Sequence, residues 1–136
     1  MTAGEAARAW AEAWETGWRA HDVEPIAARY ADGALVRTQP FRDATYGPDG
    51  IRAYTESAFA DEEQLLAVGF GEPIAAGDRA AVEYSAVFVS SGREQTLRGV
   101  TLLRFNAAGL VVEHRDFWSS GADLNTERFS QSVLEI

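Results

Sequence analysis

The sequence predicts one α+β domain, with helices up to about Ala60 and an antiparallel sheet after it. Two observations carry that reading. Apolar residues recur every third or fourth position in the first part and alternate with polar ones from Gln64 onward, so the hydrophobic period changes from that of a helix to that of a strand. The chain has 136 residues, 46% hydrophobic and 24% charged. A globule of this size hides roughly two-thirds of the surface its unfolded chain exposes, enough for a sizeable core. A single domain over 1–136 is expected.

The first helix is expected from Glu5 to Arg19. Thr2 and Glu5 stand at capping-box spacing, and Trp10, Trp14 and Trp18 form one stripe, as core or as one wall of a cavity. A short second helix follows, with Asp22 as N-cap, Pro25 in its first turn, Ile26 and Tyr30 on one face and Asp32-Gly33 at its end. Ala34 to Thr38 reads as a short strand. Past Gly47-Pro48, Asp49 can cap a third helix carrying Ile51, Tyr54, Ala58 and Phe59.

Four strands come next: Leu65 to Ala75, Arg79 to Ser90, Glu94 to Asn106 and Leu110 to Ser119. Gly77-Asp78, Ser91-Gly92 and Ala108-Gly109 part them, which makes an antiparallel meander. Val82, Tyr84, Ala86 and Phe88 share one face, yet Val87, Val89, Val100 and Leu102 put apolar area on the other. If the helices cover the inner face, the outer one calls for a second copy of the chain, and a homodimer through the sheet is expected. The tail from Asn125 to Ile136 reads as a helix or a loosely docked arm.

Composition removes several function classes. With 21 acidic and 12 basic residues the formal charge is −9, a field that repels phosphate backbones and anionic headgroups, so neither nucleic acid nor a membrane is an expected partner. There is no cysteine, hence no disulfide or thiolate chemistry. Every basic residue is arginine, which leaves no amine for a Schiff base. The start has no export pattern and no apolar run is long enough to span a bilayer, so a cytoplasmic location is expected. His21, next to an N-cap in a turn, reads as exposed and inert. One other histidine and one inward carboxylate do not make a metal site, and no cofactor is expected.

Three stretches carry a family resemblance: HDVEPIAARYADGALV (His21 to Val36), GPDGIRAY (Gly47 to Tyr54) and LRFNAAGLVVEHRDFW (Leu103 to Trp118). They resemble the second helix and first strand, the third-helix entry and the terminal hairpin of the nuclear transport factor 2-like superfamily, and within it the SnoaL-like domain. The resemblance implies a cone-shaped fold, three helices packed into a curved sheet around a pocket. It is also similar to ketosteroid isomerase, but the matching positions hold Thr38 for the general base, Trp14 for the tyrosine and Thr101 for the second aspartate, so that mechanism is not implied. In SnoaL-type polyketide cyclases the catalytic aspartate sits in a His-Arg-Asp-aromatic run, similar to His114, Arg115, Asp116 and Phe117 here. Those cyclases have a histidine where this chain has Thr101. Limonene-epoxide-hydrolase-like members need an inward arginine, whereas Arg98 and Arg104 read as outward.

Alternation on the last strand puts Val112, His114, Asp116 and Trp118 on the inner face. Asp116 and His114 are the catalytic candidates: a carboxylate buried among aromatic rings is driven toward its neutral form, which suits a general base. His114 could relay a proton, polarise a carbonyl or hold Asp116 ionised by charge, and Thr101 could donate to an enolate oxygen. The substrate-binding candidates are Trp14, Tyr30, Thr38 and Tyr54 on the helical side, with Tyr84, Phe88, Thr101 and Trp118 on the sheet. Two functions fit. One is a SnoaL-like cyclase, isomerase or lyase acting on a hydrophobic carbonyl compound; the other is a non-catalytic domain that binds an apolar small molecule, with His114 and Asp116 as a structural pair hydrogen-bonded to each other or to Tyr30 and Thr55.

Overall fold

Helix α1 (Ala3–Ala20) begins on the capping box: Thr2 Oγ1 accepts from the Glu5 N–H at 3.1 Å and Glu5 Oε1 accepts from the Thr2 N–H at 3.2 Å. It ends at His21, whose φ of 51° is left-handed. The computed structural model describes residues 1–122, so the expectation for the tail from Asn125 lies outside the described residues. Helix α2 (Glu24–Ala27) is shorter than expected and its N-cap is Val23; Asp22 Oδ1 instead accepts from the Glu24 N–H at 3.1 Å. Gly17 lets α2 pass close to α1, since a Cβ there would meet the Asp22 carbonyl oxygen at 2.7 Å and Ile26 at 2.8 Å.

Tyr30 is therefore not helical; it opens strand β1 (Tyr30–Arg37). Gly33, with φ 74°, was expected to stop a helix, but it sits in a bulge where the pairing register of the strand slips between Tyr30 and Leu35. Both uses exploit the same left-handed freedom. Strand β2 (Thr45–Tyr46) leads into α3 (Gly47–Ala60), whose N-cap is Tyr46 rather than Asp49. Asp49 instead binds Arg52 at 2.9 Å, and Arg52 also reaches Glu24 of α2 at 2.9 Å.

The remaining strands are β3 (Gln64–Phe70), β4 (Ile74–Ala76), β5 (Arg79–Ser90), β6 (Arg93–Phe105) and β7 (Val111–Ala122). The first expected strand is split at 71–73, where Pro73 has no N–H to donate. Ser91 and Gly92 both have positive φ, 52° and 71°, as a two-residue type I′ hairpin requires. The sheet order is β2-β1-β7-β6-β5-β3, with β4 on β5. One pairing departs from the antiparallel expectation: β1 runs parallel to β7, because the chain crosses over through α3 and the meander before returning beside its first strand.

The curved sheet wraps the helices, and Trp10, Ile26, Ile51, Val36, Val82 and Val111 are buried between them. On the outer face Arg98 and Arg104 point away from the helices, and Phe117 stays 39% exposed. Among the described residues no helix is long and apolar enough to cross a membrane.

Candidate functional site

Pairing across β6 and β7 sets Thr101 opposite Asp116, Leu103 opposite His114 and Gly99 opposite Trp118. His114 and Asp116 are buried while Phe117, next along the strand, is exposed, so strand alternation aims the two polar groups under the helices. Val112, expected inward, is displaced by a register shift next to Phe105; Val111 takes the inner place.

Asp116 is held through one oxygen. Its Oδ1 accepts from the Tyr84 hydroxyl at 2.7 Å and from Thr101 Oγ1 at 3.2 Å. Oδ2 accepts no such bond and lies 3.7 Å from His114 Nε2. Tyr84 reaches Asp116 by crossing β6 at Gly99, its cross-strand partner, where a Cβ would stand 2.9 Å from the Tyr84 hydroxyl. Burial, followed by the Asp116 charge and the bond to it, holds the Tyr84 phenol far above its ordinary range. The phenol thus stays a donor.

His114 is fixed from the other side. Its Nδ1 lies 2.7 Å from the Tyr30 hydroxyl, whose oxygen already accepts from Trp10 Nε1 at 2.9 Å and Trp14 Nε1 at 3.2 Å. A phenol oxygen has two acceptor sites, and both indoles fill them, so Tyr30 must donate its own hydrogen to Nδ1. This pattern assigns the ring hydrogen to Nε2. That Nε2 is buried and has no hydrogen-bond partner, a donor left for something else. Burial also keeps Tyr30 protonated, its phenol raised well above the usual value.

These atoms face a cavity of about 100 Å³. Trp14, Tyr54, Tyr84, Phe88, Thr101 and Trp118 line it with His114 and Asp116. Burial, with the Asp116 charge second, pushes the Tyr54 phenol up to about 12. Two expected lining residues do not line it. Tyr30 sits behind His114, and Thr38 accepts from Arg42 through its hydroxyl at 3.0 Å and from Trp118 through its carbonyl at 2.7 Å. Thr101 is bound to Asp116 rather than open to an enolate.

Glu62 is a lining residue the sequence reading missed. Its side chain is 5% exposed, Oε2 accepts from Trp18 Nε1 at 2.8 Å, and Oε1 lies 2.9 Å from His21 Nε2. His21 is accordingly not inert: it stacks on Phe59 at 4.8 Å and partners a buried carboxylate. Glu62 stands in the turn between α3 and β3, where no periodicity marks which side chains face inward. The available sign was the third indole, Trp18, whose N–H needs an acceptor when buried. Among the described residues no group of three or more His, Asp or Glu is placed to hold a metal ion.

The model of the SnoaL-like domain matches residues 7–114. The chain belongs to this family. Solved structures share its fold. RV0760c from Mycobacterium tuberculosis is 20% identical, with a TM-score of 0.69 over 85% of this chain and 96% of that one. SalBIII, an epoxide hydrolase/cyclase-like enzyme in pyran ring formation in the polyether salinomycin, is 19% identical, with a TM-score of 0.73 over 87% and 95%. Likeness at this identity speaks for the fold alone. No curated protein matches the sequence.

Proposed function

We propose that this SnoaL-like domain is a cofactor-independent enzyme of the cyclase, isomerase or lyase type, acting on a hydrophobic carbonyl compound. The supporting observation is a base and a donor side by side: Asp116 Oδ2 without a hydrogen bond, and His114 Nε2–H 3.7 Å away, both in an aromatic cavity. Asp116 Oδ2 takes a proton from the carbon next to the carbonyl. The electron pair moves onto the carbonyl oxygen, which Nε2–H stabilises, and Asp116 returns the proton to a new atom or to the same one. A single preorganised donor of this kind contributes about 10²–10³ in rate. Tyr84 and Thr101 keep Oδ1 occupied and so aim Oδ2 at the substrate.

The test uses 2-tetralone, an apolar ketone with acidic C–H bonds, in heavy water. NMR should show the protein accelerating exchange beside the carbonyl, and Asp116→Asn should fall at least ~10²-fold, to the buffer rate, with unchanged near-UV circular dichroism. Equal exchange in both proteins removes Asp116 from the mechanism. Binding of the ketone without acceleration in the unsubstituted protein favours the second reading, a domain that only holds an apolar ligand.

A further inference from the structure

We propose that the cavity selects a ligand bearing a basic nitrogen, a protonated organic amine set against Glu62 at the end of the tryptophan stripe away from His114. This rests on the assignment of Asp116 and His114 as the reactive end. The stripe measures the distance between the two poles. Trp10 packs on His114 at 6.0 Å between ring centroids, whereas Trp18 donates to Glu62. Eight helical residues separate the two indoles, a rise of about 12 Å.

Charge decides what the far pole accepts. Two buried carboxylates, Asp116 and Glu62, line the cavity, and among the described residues no arginine does. The chain has no lysine either, so no described residue puts a permanent cation in the cavity. Glu62 is satisfied by N–H donors from Trp18 and His21, yet a buried carboxylate without a fixed counter-charge costs several kcal/mol. A ligand cation offsets that cost. Aromatic rings surround the place it would occupy: Trp14 lies 6.3 Å from Trp18, and Phe59 stacks on His21. Indole and phenyl faces attract an ammonium group, more strongly where water is excluded. The same carboxylates, inside a chain of charge −9, repel carboxylate and phosphate ligands.

Three probes with one apolar body separate the possibilities: 4-phenylbutylamine, 4-phenylbutan-1-ol and 4-phenylbutanoate. Their binding is read by tryptophan fluorescence at pH 8, above the ordinary histidine range. The amine should bind at least about tenfold tighter than the alcohol, with the carboxylate weakest, and Glu62→Gln should remove the amine's advantage. Equal affinity of amine and alcohol, no binding of any probe at millimolar concentration, or an amine advantage that survives Glu62→Gln overturns the proposal. The comparison in the unsubstituted protein decides even where the variant does not fold. Loss of the amine preference with ketone exchange intact sinks only this proposal, and the reverse outcome sinks only the proton-transfer reading.

Discussion

Tyr30 does more at the site than packing requires, because one oxygen joins three rings. It accepts from Trp10 and Trp14 and donates to His114, so removing it strands two indole N–H groups and frees the imidazole tautomer at once. Tyr30→Phe should therefore cost about 1–3 kcal/mol in urea unfolding, the range for buried polar groups left unpaired. Nitrogen NMR of the imidazole should show hydrogen on Nε2 in the unsubstituted protein and a tautomer mixture in the variant. An unchanged, pure Nε2–H form in Tyr30→Phe would show that Tyr30 does not set the tautomer. The sequence offers Tyr30 as a hydrogen-bond partner of the buried pair, and its hydroxyl does meet His114, but it places Tyr30 on a helix face and gives no sign of the two indole donors. The misreading has a physical source: Gly33 supplies positive φ equally well to a helix end and to a bulge, and only the neighbouring strand decides between them.

At the scale of elements, the parts with a strict period were legible and the parts set by partners were not. Alternation on β7 placed His114, Asp116 and Trp118 inward, and the three turns that flank β5 and β6 carry glycine where positive φ is needed. Glu62 and Thr38 lie beyond the ends of regular elements, so their surroundings depend on contacts distant in sequence. Gly99 is an element-scale case, since its role shows only when three strands are side by side. A Cβ at Gly99 would come within 2.6 Å of the Phe117 carbonyl oxygen and 2.7 Å of Trp118 Cβ, besides the Tyr84 hydroxyl. Backbone on one side leaves little room to give. Gly99→Ala should then separate β6 from β7 locally, cost about 1–3 kcal/mol by overpacking, and weaken the Tyr84–Asp116 bond. Gly4→Ala is the control: nothing comes nearer than 3.9 Å there, and alanine in a helix is favoured over glycine by up to about 1 kcal/mol. Equal stability of the two variants would discount the steric argument.

For the whole molecule, the outer face of the sheet remains partly apolar. Phe117 is 39% exposed, and Val100 and Leu102 are only half-buried. A homodimer through this face is proposed, and Phe117→Glu should convert it to monomer in light scattering; a monomeric unsubstituted protein would remove the proposal. A second whole-molecule property follows from composition and site together. Tyr30, Tyr54 and Tyr84 come from three different elements and all have raised phenols, chiefly by burial and then, for Tyr54 and Tyr84, by the charge of Asp116. In the unfolded chain these phenols lose their protons near the ordinary value of 10.0. Above that pH the unfolded state binds fewer protons than the folded one, so stability is fully present below about pH 10 and falls as pH rises toward about 12. Each tyrosine contributes a slope of ~1.4 kcal/mol per pH unit, and three together give ~4. The chain has neither lysine nor cysteine to titrate in the same window, so the slope belongs to tyrosine. Urea unfolding between pH 8 and pH 11.5 should show a plateau followed by this steep loss, with tyrosinate absorbance appearing as circular dichroism disappears. Tyr84→Phe should lower the slope by about one third. Stability that stays level up to pH 11.5 would contradict the burial of these three phenols around Asp116.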